Sequence, residues 1–175
     1  MNAITRLPAK VKSTAALAQF MLAHPAHWLA QGFGSGLSPV MPGTAGTLMA
    51  WALFSLPTRL WPTVFTPTFW SVAILAGFLI GIWACDRTGR DMGVADHGSM
   101  VWDEIIAFWL VLLFLMPADF STQWAAFLWF RFFDMVKPPP IRYFDGHVKG
   151  GLGVMWDDIV AAFYTLLLFA LWRAV

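Results

Sequence analysis

From Pro67 to Cys85 the chain carries no charged residue. A membrane-crossing helix needs roughly 20 mostly apolar residues, and this stretch meets that requirement. Further apolar stretches run from about Ala45 to Pro57, from Ile105 to Pro117, from Phe120 to Met135 and from Ile159 to Trp172. Met100 to Trp102 extend the third of these backwards across Asp103 and Glu104. The composition agrees. Hydrophobic residues make up 59% of the 175-residue chain and charged residues 12%, against about 25% charged in a soluble domain. The 11 Trp and 16 Phe suit membrane–water boundaries. The expected fold is all-α, a polytopic integral membrane helix bundle with about four to five spans or membrane-embedded helices.

The N-terminal segment reads differently. Arg6, Lys10 and Lys12 precede a weakly apolar run from Ala15 to Ala23 that ends at His24-Pro25. The run is short and Ala-rich, and it lacks a small-residue cleavage site, so it reads as a retained interfacial helix starting at Ser13 or Thr14. This divides the chain into a basic interfacial segment, residues 1–27, and a membrane-embedded domain, residues 28–175.

Alternating spans place three segments on one membrane face: the N-terminus through Thr44, the stretch from Asp86 to Trp102, and the stretch from Lys137 to Asp157. That near face carries Arg6, Lys10, Lys12, Arg87, Arg90, Lys137, Arg142 and Lys149, whereas the far face carries Arg59 and Arg173. The positive-inside rule makes the near face cytoplasmic. Of the 10 acids only Asp119 falls on the far side, and all 4 histidines lie on the near side. Acids contribute little to orientation, so this second asymmetry calls for a chemical reason. Ionisable groups at membrane depth are functional by default. A net charge of +1 gives no field for nucleic acid, and the single Cys85 excludes an intramolecular disulfide or a cysteine metal cluster.

Asp103 and Glu104 fall where the third stretch enters the bilayer, and Asp157 and Asp158 open the last one in the same way. Two acid pairs at one depth could hold one or two magnesium ions, which bind through carboxylates, water and phosphate oxygens. Arg131, Asp134 and Lys137 recur every third residue and can share a helix face, with arginine and lysine suited to phosphate. Asp96 lies beside His97, and an imidazole of ordinary pKa can move a proton near neutrality. Before the first span, Gly32 to Thr47 is rich in glycine and hydroxyl residues, among them Ser35, Ser38 and Thr44. Glycines let backbone N–H groups approach an anion, and hydroxyls add donors. Other phosphatase signatures are missing. Cys85 and Arg90 are one residue too close for a Cys-x5-Arg loop, and there is no Asp-x-Asp opening.

These segments together resemble the phosphatidylglycerophosphatase A family. The resemblance rests on Gly34-Ser35-Gly36-Leu37-Ser38-Pro39 through Pro42-Gly43-Thr44; Asp96-His97-Gly98-Ser99 with Trp102-Asp103-Glu104; Arg131-x2-Asp134-x2-Lys137 followed by Pro138 to Pro140, Ile141 and Arg142; and Gly150-Gly151-x-Gly153-Val154-Met155 with Asp157-Asp158. It covers the chain from about Gly32 to the end. Thr47 and Ala107 depart from it, standing where many members have Ser and Gly. The resemblance implies a bacterial inner-membrane enzyme that uses magnesium to hydrolyse phosphatidylglycerophosphate to phosphatidylglycerol and phosphate. On that basis Asp103, Glu104, Asp157 and Asp158 are expected metal ligands. Asp96, His97 and Asp134 are expected proton-transfer groups or further ligands. Arg131, Lys137 and Arg142, with Ser35, Ser38 and Thr44, are expected to hold substrate oxygens. The competing expectations are a phosphatase of another lipid phosphate and a small transporter or channel subunit whose acids line an ion path.

Overall fold

Prolines and capping side chains set where the helices begin. The structure, a computed structural model, describes residues 13–139 and 150–174. Regular structure among the described residues is entirely helical. Helix α1 is Thr14–Leu22 and α2 is Pro25–Ala30; a 3-10 segment, Gly32–Leu37, follows. The long elements are α3, Pro42–Leu60; α4, Pro67–Met92; α5, Trp102–Leu115; α6, Phe120–Val136; and α7, Gly151–Ala174. Pro25, Pro42 and Pro67 each sit in a first helical turn, where a missing N–H is tolerated. Ser13, Thr66 and Asp119 cap α1, α4 and α6 through their side chains. Gly93, in the left-handed region, ends α4.

α5 is the hub. It packs against α3, α4, α6 and α7, and Ile105, Ile106, Ala107, Phe108 and Val111 are fully buried. A helix apolar all round is a core helix. At 14 residues it is about 21 Å long, shorter than the roughly 30 Å hydrocarbon core. Among the described residues, α4 and α7 are the two helices long and apolar enough to cross a membrane. Val72, Leu75, Leu79 and Trp83 form an exposed stripe along α4, spaced as one helix face. Where α4 meets α5, Gly77 lets Ile106 pack against its backbone and accepts a hydrogen bond from Trp102 Nε1 at 2.9 Å. Small residues allow such close helix contact.

The helix ends depart from the sequence expectation in two places. α4 continues through Asp86 to Met92, because Asp86–Arg90 (2.8 Å) and Arg87–Asp91 (2.7 Å) are i,i+4 ion pairs on its surface. α7 starts at Gly151, so Asp157 and Asp158 lie in its second turn and do not open it. Gly151 is the reason for the early start: a methyl group there would overlap the Ile82 carbonyl of α4. Gly151 thus lets α7 begin tight against α4.

The α1–α2 hairpin is fastened to α4 by His27. This residue is fully buried and stacks on Phe20 with centroids 4.1 Å apart. Its Nδ1 lies 3.0 Å from Thr88 Oγ1 and its Nε2 3.3 Å from Asp91 Oδ2. Burial lowers its pKa from 6.5 to about 4, against the opposing pull of Asp91. The unfolded chain therefore takes up the proton first. His27's contribution is full above pH 6.5 and is lost as the pH falls from there toward about 4. Thermal midpoints between pH 7.5 and pH 4.5 should show the decline, and His27→Gln should flatten it. An unchanged slope in the variant excludes His27 as the source.

Candidate active site

The N-terminus of α5 and the second turn of α7 meet. Val101 precedes α5 and is anchored by its N–H to the Ala30 carbonyl at 2.9 Å. This fixes where α5 begins, and with it Asp103 and Glu104 in the first turn. Ligand oxygens of Asp103, Glu104 and Asp158 all lie within 4.8 Å of one another. Asp103 is 8% exposed and Asp158 is 4% exposed. Asp103 Oδ1, Glu104 Oε2 and Asp158 Oδ2 are buried and accept no hydrogen bond. Three carboxylates crowded in this way repel one another, and burial strengthens the repulsion. A cation would relieve both penalties. An all-oxygen donor set suits a hard divalent ion such as magnesium, manganese or calcium.

Neighbouring residues on a helix point about 100° apart, which separates the second acid pair. Asp158 joins the cluster, whereas Asp157 Oδ2 receives Lys137 Nζ at 2.6 Å. Lys137 can reach it because it ends α6 in the left-handed region, with φ of 44°. Asp103 and Glu104 both reach the cluster.

Arg131 lies beside the acids. Its Nη1 donates to Glu104 Oε1 at 3.2 Å and to Asp134 Oδ2. Its Nε is buried without an acceptor. The first turn of α3 closes this side. Gly43 abuts Glu104 so closely that a methyl group there would overlap Oε1, with Arg131 Nη2 3.0 Å away. Met41 caps α3 without a side-chain hydrogen bond, and Thr44 Oγ1 is buried without a partner. The turn therefore presents donors beside the carboxylates.

The family profile described as Phosphatidylglycerophosphatase A matches residues 28–173. The chain belongs to the phosphatidylglycerophosphatase A family. It is 47% identical over 147 residues to the Phosphatidylglycerophosphatase A of Escherichia coli strain K12, covering 83% of this chain and 82% of the relative. It is 44% identical over 157 residues to that of Haemophilus influenzae, covering 86% and 90%. A Bacteroides thetaiotaomicron protein, provisionally named a phosphatidylinositol-3-phosphatase, is 40% identical over 149 residues, covering 82% and 91%. No solved structure matches.

The remaining residues expected at a phosphatidylglycerophosphatase A site are spread more widely. Asp134 pairs with Arg131 and lies close enough for its charge to act on Glu104 and Asp158. Asp96 is exposed on the α4–α5 loop, and its charge acts on Asp103 and Glu104. His97 turns inward to its own loop, accepting the Ser99 N–H at Nδ1 (3.2 Å) and lying 2.8 Å from Ser99 Oγ. Ser35 and Ser38 spend their hydroxyls on the Gly32 and Val40 carbonyls, each at 2.8 Å. Arg142 lies outside the described residues. Thr47 bonds back to the Gly43 carbonyl at 2.9 Å, which a serine could also do, and Ala107 is fully buried in α5. Gly43 was not singled out from the sequence. Its signal was present in Pro42-Gly43, a helix start whose second residue lacks a side chain.

Proposed function

We propose that the chain hydrolyses the terminal phosphate monoester of phosphatidylglycerophosphate to give phosphatidylglycerol and inorganic phosphate. The observation that carries this reading is the convergence of Asp103, Glu104 and Asp158, each with one buried oxygen that accepts no hydrogen bond, in a member of this family. A divalent ion held by Asp103, Glu104 and Asp158, magnesium on the donor chemistry, would neutralise charge on the phosphoryl oxygens. The chain's own groups position the substrate. The N–H groups of Gly43 and Thr44, Thr44 Oγ1 and the Arg131 guanidinium are assigned to phosphate oxygens. Lys137, placed by Asp157, and Arg142 are assigned to the glycerol-phosphate side. Water attacks phosphorus in line with the departing glycerol oxygen. Asp96, the exposed acid beside the cluster, takes the water's proton, while Asp134 holds Arg131 in place. His97 then serves the loop that presents Asp96. Catalysis of this kind consists chiefly of positioning and charge stabilisation.

The setting follows from the same pattern. α3 to α7 form the embedded bundle, with the acidic site at the cytoplasmic surface of a bacterial inner membrane. The two long apolar helices, the lysine and arginine bias and the bacterial relatives support this. Phosphatidylglycerophosphate carries its phosphate at headgroup level, the depth that this reading gives the cluster.

Purified protein in detergent should release phosphate from phosphatidylglycerophosphate. Chelation of divalent ions should stop turnover, and added magnesium should restore it. Full turnover in excess chelator excludes the metal role. The Bacteroides relative's name makes phosphatidylinositol phosphate the informative competitor. A higher kcat/KM for it would move the substrate assignment without moving the site.

A further inference from the structure

Lys137 holds a backbone conformation that its sequence opposes. It ends α6 at φ 44° and ψ 65°, in the left-handed region, where the Cβ of an L-residue crowds the following carbonyl. Pro138 comes next, and a proline ring pushes the residue before it toward extended conformations. A residue strained in this way persists only where its surroundings over-determine it, and such residues cluster at functional sites. The Lys137 N–H donates to the Phe133 carbonyl at 2.9 Å and closes the helix. That bond fixes the end of α6 and not the path of the chain beyond it.

Two side chains of α7 supply the further restraint. Asp157, Ala161 and Tyr164 follow the i, i+4, i+7 spacing of one helix face. Opposite them on α6 stand Phe133 and Lys137, one turn apart. Lys137 Nζ donates to Asp157 Oδ2 at 2.6 Å, and the Phe133 and Tyr164 rings lie 5.6 Å apart. Tyr164 Oη then donates to the Pro139 carbonyl at 3.0 Å. Pro139 therefore lies beside the Phe133–Tyr164 contact, one turn back from Lys137, so the chain reverses at Lys137. Pro138 and Pro139 have no N–H. Their carbonyls are the backbone groups by which this turn can be held, and Tyr164 takes the one at Pro139. α7 thus grips Lys137 from two sides: Asp157 takes its ammonium, and Tyr164 takes the backbone two residues on. Tyr164 is six residues, about 9 Å along α7, from Asp158 of the acid cluster.

We propose that Tyr164 is a positioning residue for substrate binding. Its hydroxyl pins the proline turn at Pro139 and so keeps Lys137 in the strained conformation from which the ammonium meets the substrate. This rests on the assignment of Lys137 to the glycerol-phosphate side of the lipid. Lys137 lies away from the phosphorus under attack on that assignment, so its contribution is uniform binding, which appears in KM.

Tyr164→Phe keeps the ring on Phe133 and removes the bond to Pro139. With phosphatidylglycerophosphate in mixed micelles, KM should rise about fivefold, the scale of one hydrogen bond, while kcat and the melting midpoint stay parental. Orthovanadate, which stands in for the phosphate alone, should inhibit parent and variant with the same Ki. Lys137→Met should raise KM by at least as much, and adding Tyr164→Phe to it should change KM less than twofold, because the two residues act as one unit. A parental KM in Tyr164→Phe overturns the proposal. So does a full fivefold rise on top of Lys137→Met, or a vanadate Ki that rises in step with KM. A lowered melting midpoint with kcat and KM both damaged makes Tyr164 a structural residue and also overturns it. If the parent releases no phosphate from phosphatidylglycerophosphate, the functional reading falls and takes this role with it. If the parent is active and Lys137→Met keeps the parental KM, the assignment of Lys137 falls, and the role of Tyr164 falls with that assignment while the acidic site stands.

Discussion

Asp158→Asn is expected to reduce phosphate release by at least about 10³-fold, the upper end of what removing one electrostatic stabiliser costs. The same substitution should make the metal-free protein more stable. Asp158 is 4% exposed, and its Oδ2 accepts no hydrogen bond. It shares 4.8 Å of space with two other carboxylates. Without a cation these charges repel, so replacing one with an amide relieves the crowding. The metal-bound form should respond in the opposite way. A ligand that binds only the folded state stabilises it by RT ln(1 + [L]/Kd), about 2.7 kcal/mol at a hundredfold excess over Kd. Melting the parent and Asp158→Asn in chelator and then in magnesium separates the two effects. The expected pattern is a higher midpoint for the variant in chelator, a clear magnesium shift for the parent and little shift for the variant. Asp103→Asn should match it. A variant with parental turnover, or a parent that magnesium does not stabilise, removes the metal site.

The acid cluster was legible in the sequence because charge is scarce in this chain. Against 12% charged residues, paired acids at the ends of apolar stretches stand out. The place of Asp103 and Glu104 in the first turn of α5 followed from where the third apolar stretch begins. The difference between Asp157 and Asp158 was hidden, because it depends on the rotation of α7, which is set by Gly151 packing on α4. Of the expected four to five spans or membrane-embedded helices, α4 and α7 are, among the described residues, long and apolar enough to cross a membrane. Ile105 to Leu115 is apolar enough for lipid, yet α5 spends that character on the four helices around it. Apolar composition reports burial and does not say whether lipid or protein does the burying. Ser35 and Ser38 show the limit of composition around glycines: a hydroxyl in a tight turn is claimed first by the nearest carbonyl. Only Thr44, already inside the helix, keeps its hydroxyl unspent.

Gly43→Ala should separate folding from catalysis. Alanine is the better helix former, by up to about 1 kcal/mol in a helix interior, so propensity alone predicts a protein at least as stable as the parent. Packing predicts damage of a particular kind. The added methyl group would overlap Glu104 Oε1 and crowd Arg131 Nη2. Both are the far ends of flexible side chains, so α3 need not move and the carboxylate can turn aside. The expected result is a near-parental melting midpoint with activity lowered about 10²-fold, the scale on which a displacement near 1 Å acts. The magnesium shift in melting should shrink in step, because Glu104 is displaced from Asp103 and Asp158. A compensating change follows from the geometry. Glu104→Asp shortens the side chain by one methylene and draws it back from the new methyl group. Alone, Glu104→Asp should lower activity by pulling an oxygen out of the cluster. Combined with Gly43→Ala it should cost less than the two single losses multiplied together, an interaction expected of residues in contact. If the losses multiply, or if Gly43→Ala keeps full turnover and a full magnesium shift, Glu104 is not held against α3 during catalysis, and the first turn of α3 has no part in shaping the site.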